Sequence, residues 1–196
     1  MRHIGTLLLT ATLMIGCGQQ TSQPKVPAEQ PPPSETAKKN ADAMRGLREM
    51  MLTTPATKFG IQKTDDFPRT YGGLMDWPIS NGNIATVVGF CDGNASLYTT
   101  STFGIIGGAG HESVRRAAAS FVRMADKFYP DSTPTSEYSF PAENRVKFYL
   151  VTFDGVRVID ADLKSVSSGN DKFSELFGEG QKLLTKLRLT TEKKAE

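Results

Sequence analysis

The residues whose types and spacing come closest to chemistry lie between Phe103 and Glu112, in the run FGIIGGAGHE. Gly104, Gly107, Gly108 and Gly110 stand between a strand-like segment and the start of a helical pattern. Free backbone N–H groups at a helix start, with the helix dipole behind them, attract an anion. The run stops short of a nucleotide loop. It lacks the lysine and Ser/Thr of a phosphate loop and the GxGxxG spacing, and its strand belongs to a hairpin rather than a βαβ unit. His111 is the one histidine beyond residue 16, suited by type to acid–base work or to holding an anion. With no second histidine and no cysteine near it, a zinc set is incomplete. Glu112 precedes Arg115 and Arg116 at the spacing of a helical ion pair. Ser96, Ser101 and Cys91 are nucleophiles by type, but no GxSxG elbow surrounds them. Asp92 and Asp154 sit in turn signals, while Asp160 and Asp162 follow a strand-like run. The candidate ligand-binding set is therefore Gly104, Gly107, Gly108, Gly110, His111 and Glu112, with no catalytic residue, metal or cofactor assigned.

The elements that position these residues follow from periodicity. Residues 41–52 place Met44, Leu47 and Met51 at helical spacing, with Arg45, Arg48 and Glu49 elsewhere around the helix. Tyr71 to Trp77 reads as a first strand, and Asn81-Gly82 is a turn signal after it. Two β-branched and aromatic runs flank Asp92-Gly93, and two more flank Asp154-Gly155. Both patterns predict hairpins with type I′ turns. After the first hairpin, Val114, Ala117, Ala118, Phe121, Val122, Ala125 and Phe128 mark one face of a helix that Pro130 ends. A second helix runs from about Asp171 to Leu187, where Gly178 and Gly180 weaken the middle and invite a break. The expectation is an α+β domain, an antiparallel sheet of about five strands built from hairpins with flanking helices. That arrangement resembles the profilin-like or roadblock-like class of small sheets, a likeness of fold alone. The Tyr129–Arg145 loop, with Pro130, Pro134, Pro141, Tyr138 and Phe140, is long enough to be a contact surface.

The N-terminal residues carry a different message. Arg2 precedes an uncharged, mostly apolar run from Ile4 to Ile15, too short for a membrane span of about 20 residues. It suits the apolar core of a secretion signal. Its end, Met14-Ile15-Gly16-Cys17, resembles the lipobox of bacterial lipoproteins, with Met14 where leucine is usual. The resemblance covers residues 1–17. It implies cleavage before Cys17, lipid on that thiol, and anchorage in the cell envelope. Gly18 stands where an aspartate typically signals inner-membrane retention, so the resemblance favours the outer membrane in a two-membraned organism. Residues 18–40 hold five prolines, four glutamines and, apart from alanine, one aliphatic residue, Val26. Such a segment cannot bury enough apolar surface to offset its ordering entropy, and reads as a spacer. The expected organisation is signal peptide 1–16, lipidated cysteine and linker 17–40, one domain 41–190, and a polar tail 191–196.

A formal charge of +2 argues against a dedicated nucleic-acid binder, for which a strongly basic face is expected. Besides Cys17, Cys91 is the only cysteine, so no disulfide joins the domain to itself. Arg116, Arg123 and Lys127 form a basic helix face, with Arg115 at its edge, whose default is solvation, with lipid headgroups or an acidic partner as the functional alternative. The reading is a membrane-anchored binding or interaction module of the envelope, partnered by the membrane through Cys17 and by an envelope protein. The alternative is a hydrolase-like envelope enzyme using His111 near the glycine-rich turn.

Overall fold

A computed structural model describes residues 35–101 and 104–192. The signal-peptide segment, Cys17 and linker residues 18–34 lie outside them. Among the described residues, four helices, α1 (Glu35–Thr53), α2 (Glu112–Lys127), α3 (Leu163–Ser167) and α4 (Ser174–Glu192), accompany seven strands. These are β1 (Thr70–Pro78), β2 (Ile84–Phe90), β3 (Ala95–Thr99), β4 (Gly104–Ile106), β5 (Thr133–Thr135), β6 (Arg145–Thr152) and β7 (Gly155–Asp162). They form one antiparallel sheet in the order β4-β3-β2-β1-β6-β7-β5. The α+β class is as expected, but the strand count is seven rather than about five. The additional two, β4 and β5, are three residues each, too short for alternation to register.

Alternation along the longer strands sorts the core into two layers. Met75, Val87, Leu97, Phe148 and Leu150 pack with Val114, Phe121 and Ala125 of α2 and Leu176, Leu183 and Leu187 of α4. Leu74, Val88, Phe90, Tyr98, Tyr149 and Val151 pack on the opposite face with Leu52 of α1 and with Ala56 and Ile61 after it. The α2 face read from the sequence is the buried one, with Val114, Ala118, Phe121, Val122 and Ala125 inside. α1 begins at Glu35, taking in six residues that composition assigned to the linker.

Helix α4 runs unbroken through Gly178 and Gly180. Gly180 is there for packing, because a Cβ on it would stand 2.7 Å from the Met75 Sδ and Cε atoms. The same logic surrounds Phe121. Its ring lies 3.0 Å from where a Cβ on Gly73 would be, 3.4 Å for Gly89 and 3.5 Å for Gly180. Three glycines from two strands and a helix thus form a trough for one fully buried ring.

Turn chemistry departs from the expectation in an instructive way. The type I′ signature, positive φ at both central residues, occurs at Asn81 (φ 62) and Gly82 (φ 69) between β1 and β2. At Cys91-Asp92-Gly93 only Gly93 is positive (φ 90), and Gly93 N–H donates to Phe90 O while Phe90 N–H donates to Asn94 O. That is a three-residue loop, a type I turn closed by a left-handed glycine. The Asp92 carboxylate accepts from Asn94 N–H at 2.9 Å, fixing the turn. In the second hairpin, likewise, only Gly155 is positive.

Candidate functional site

Two places on the α1 face of the sheet combine chemistry with shape. The first is a buried ion pair. Arg48, on the fourth turn of α1, is 5 % exposed, and Asp76 of β1 is fully buried. Arg48 Nε and Nη2 both donate to Asp76 Oδ2, at 2.9 and 2.6 Å. The other carboxylate oxygen accepts from the Thr86 hydroxyl on β2. Arg48 Nη1 donates to Tyr138 O at 2.9 Å, and the guanidinium lies 4.4 Å from the Phe140 ring centroid and 5.2 Å from that of Tyr149. Every charged atom is thereby partnered, the condition under which a buried pair is tolerated. Burial pushes the Asp76 carboxyl up, and the Arg48 charge, its hydrogen bonds, the Thr86 hydroxyl and Lys147 pull it back. The sequence placed Arg48 on the polar side of α1, which the structure corrects. The 129–145 loop is likewise turned inward here. Tyr138 and Phe140 cap the guanidinium, and Ser139 O accepts from the Tyr149 hydroxyl at 2.6 Å.

The second place is an apolar pocket of about 250 Å³ beside the glycine-rich turn. Strand register builds its floor, because Val88 of β2 lies opposite Ser96 of β3, which lies opposite Ile106 of β4. Met51 of α1, with Phe59 and Ile61 from the following segment, faces this row, and Asp92 and Asn94 bring polar atoms from the hairpin tip. Gly107 also lines the pocket. Ile106 is 63 % exposed, a high value for a branched apolar side chain.

The six residues singled out from the sequence surround this turn without converging on one ligand position. Gly107 takes positive φ (80°). Gly108 opens a short 3-10 turn through Gly110 and is buried. A Cβ on Gly108 would come within 2.7 Å of Leu187 and Val114, and one on Gly104 within 2.8 Å of Met44 Sδ, so both glycines serve close packing. Gly110 has nothing within 4 Å of such an atom. His111 is exposed and caps α2 through its backbone, its carbonyl accepting from Val114 and Arg115 N–H. Glu112 accepts from Arg115 and lies 3.9 Å from Arg116. A test separates packing from ligand contact here. Gly108→Ala is expected to destabilise by about 1–3 kcal/mol through overpacking, whereas Gly110→Ala leaves the denaturation midpoint unchanged or slightly raised. Equal losses at both positions in urea titration would contradict the packing role.

The remaining candidates are accounted for locally. Burial and the neighbouring Asp92 charge push the Cys91 thiol up, away from the thiolate a nucleophile needs. The Ser101 hydroxyl lies 2.9 Å from the Thr99 hydroxyl. Asp160 pairs with Arg145 at 2.8 Å, and Asp162 caps α3, where Ser165 N–H holds its carboxyl below the usual range. On α2, Arg123 reaches Asp66 at 3.4 Å and lies over the Phe67 ring, while Arg116 extends into solvent. Among the described residues no cluster of His, Cys, Asp or Glu could hold a metal, and no helix is long and apolar enough to cross a membrane.

Comparison with protein-family models, curated proteins and solved structures finds no match. The functional reading therefore rests on the geometry. Neither the pocket nor the ion pair was legible beforehand. Each gathers residues from α1 and from strands many residues later, and only register brings Val88, Ser96 and Ile106 into one row.

Proposed function

We propose that this chain is a lipid-anchored binding module of the bacterial cell envelope, and that the pocket beside the glycine-rich turn is its contact surface. The observation that carries the binding role is the open apolar pocket walled by Met51, Phe59, Ile61, Phe90 and Ile106. Pockets of this kind, mostly apolar with a few polar atoms at the rim, are the usual form of ligand sites. Its volume suits an apolar side chain or a comparably small group rather than a whole acyl chain. The anchor is supported by the Met14–Cys17 resemblance. An acyl cysteine with two or three chains holds a protein stably on a bilayer without a spanning helix.

Two measurements test the two halves separately. Cys17→Ala is expected to move the protein from the membrane to the soluble fraction, and the mature wild-type N-terminus should carry lipid by mass spectrometry. Unchanged fractionation would refute the anchor. For the pocket, the soluble Cys17→Ala protein should bind an environment-sensitive naphthalene dye saturably. Adding Ile106→Asp should weaken that binding by about tenfold, the size of effect expected from about 1.4 kcal/mol. Dye binding indifferent to Ile106 would place the contact surface elsewhere.

A further inference from the structure

The two edges of the sheet are unlike. Edge strand β5 contains Pro134, which has no N–H to offer, and Arg157 from the neighbouring strand donates to Ser132 O beside it. Short length, proline and nearby charge are all ways natural sheets discourage added strands; both edges are short, and β5 adds the other two. Edge strand β4 carries neither. Its residues are Gly104, Ile105 and Ile106, and Ile106 is the most exposed large apolar side chain among the described residues.

The direction of the β4 backbone groups follows from the ladder. Phe90 N–H donates to Asn94 O and Thr100 N–H donates to Ile84 O, which fixes the β2–β3 hydrogen-bonded pairs at even spacing between them. Ser96 and Tyr98 therefore bond toward β2, and Leu97 bonds toward β4, because alternate residues of an antiparallel strand point their N–H and C=O to opposite sides. Leu97 lies opposite Ile105, so Ile105 closes the β3–β4 pair. Gly104 and Ile106 then turn their N–H and C=O groups away from the sheet. Among the described residues, nothing pairs with them. Buried or not, a row of such groups is a template for another strand.

We propose that the outer edge of β4 accepts an extended peptide, which adds an eighth strand and sets an apolar side chain against Ile106 at the mouth of the pocket. This rests on the reading of the pocket as the contact surface and names its occupant. Backbone bonds to Gly104 and Ile106 supply the register, and alternate side chains of the added strand fall on the pocket face. That division of labour is the known physics of strand addition. The chain's own linker is poorly suited to the role, since prolines flank its one Val at Pro24 and Pro27 and remove ladder donors.

The experiment selects a random-peptide display library against the soluble Cys17→Ala chain, with an added Ile106→Pro variant as the control. Proline at this position removes an outward N–H and keeps the β3 pairing, since edge strands tolerate it there. Enriched peptides are expected to alternate apolar and polar residues. Synthetic copies should lose tenfold or more in affinity when alternate backbone amides are N-methylated, and the same on Ile106→Pro. The variant's thermal midpoint should stay at the parent's value. Peptides that bind equally well after N-methylation, or no enrichment over Ile106→Pro, would overturn strand addition while leaving dye binding to judge the pocket. A dimer of the chain that Ile106→Pro dissolves would overturn the peptide as occupant in favour of a second copy.

Discussion

Replacing Arg48 by alanine is expected to destabilise the domain by about 3–5 kcal/mol, the cost of leaving a buried carboxylate without its partner. Asp76 cannot swing to water, because it is fully buried on the central strand between β2 and β6. The loss exceeds that of an exposed pair such as Arg123–Asp66, where truncation is worth about 0–1 kcal/mol. Truncation also removes the support under Phe140 and the donor to Tyr138 O, so the 136–141 strap should loosen with it. Urea denaturation followed by circular dichroism gives the stability, and amide exchange at residues 138–140 gives the strap. The double variant Arg48→Met with Asp76→Leu should recover most of the loss, since no charge is then left buried. A single variant within about 1 kcal/mol of wild type, the range of an exposed pair, would show that Asp76 is not ionised in the fold.

The second large effect is expected at Phe121. Phe121→Ala should cost about 3–5 kcal/mol, the usual range for emptying a fully buried ring. The top of that range applies here, because the walls facing the ring are backbone at Gly73, Gly89 and Gly180. Side-chain walls can lean into a void, but three glycine backbones held in a sheet and a helix cannot. Phe121→Leu should cost far less, since most of the volume is kept. The same denaturation series reads both. If alanine and leucine were equivalent, the trough would be free to collapse and the argument from rigid walls would fail.

The parts legible in the sequence are those with a strong local period. The α2 face, strand β1 and both Asp-Gly hairpins follow from residues a few positions apart. The type of turn did not follow, because Asp92 and Asn81 each precede glycine and the chain chooses by loop length. β4 and β5 were missed because three residues hold no alternation, and Pro134 reads as a breaker. Periodicity sets Arg48 apart from Met44, Leu47 and Met51 and cannot show its partner, which lies 28 positions on, inside a strand otherwise apolar toward α1. The glycines of residues 104–110 were visible as a cluster. Which of them pack and which line a pocket depends on Met44, Val114 and Leu187, whose meeting point only the fold sets.

The Arg48–Asp76 pair also decides how the domain bears load. Any pull on the chain ahead of residue 35 enters through α1, whose first two turns lie largely in solvent. The first buried ion pair that pull meets is Arg48–Asp76, and behind it stands β1, laced on both sides by long antiparallel ladders. Part of the tension is thus delivered to the middle of the sheet, to the strand paired with both β2 and β6. An attachment through β5 alone would instead load an edge strand of three residues. On the proposed N-terminal tether, this pair ties the tethered helix to the central strand of the sheet.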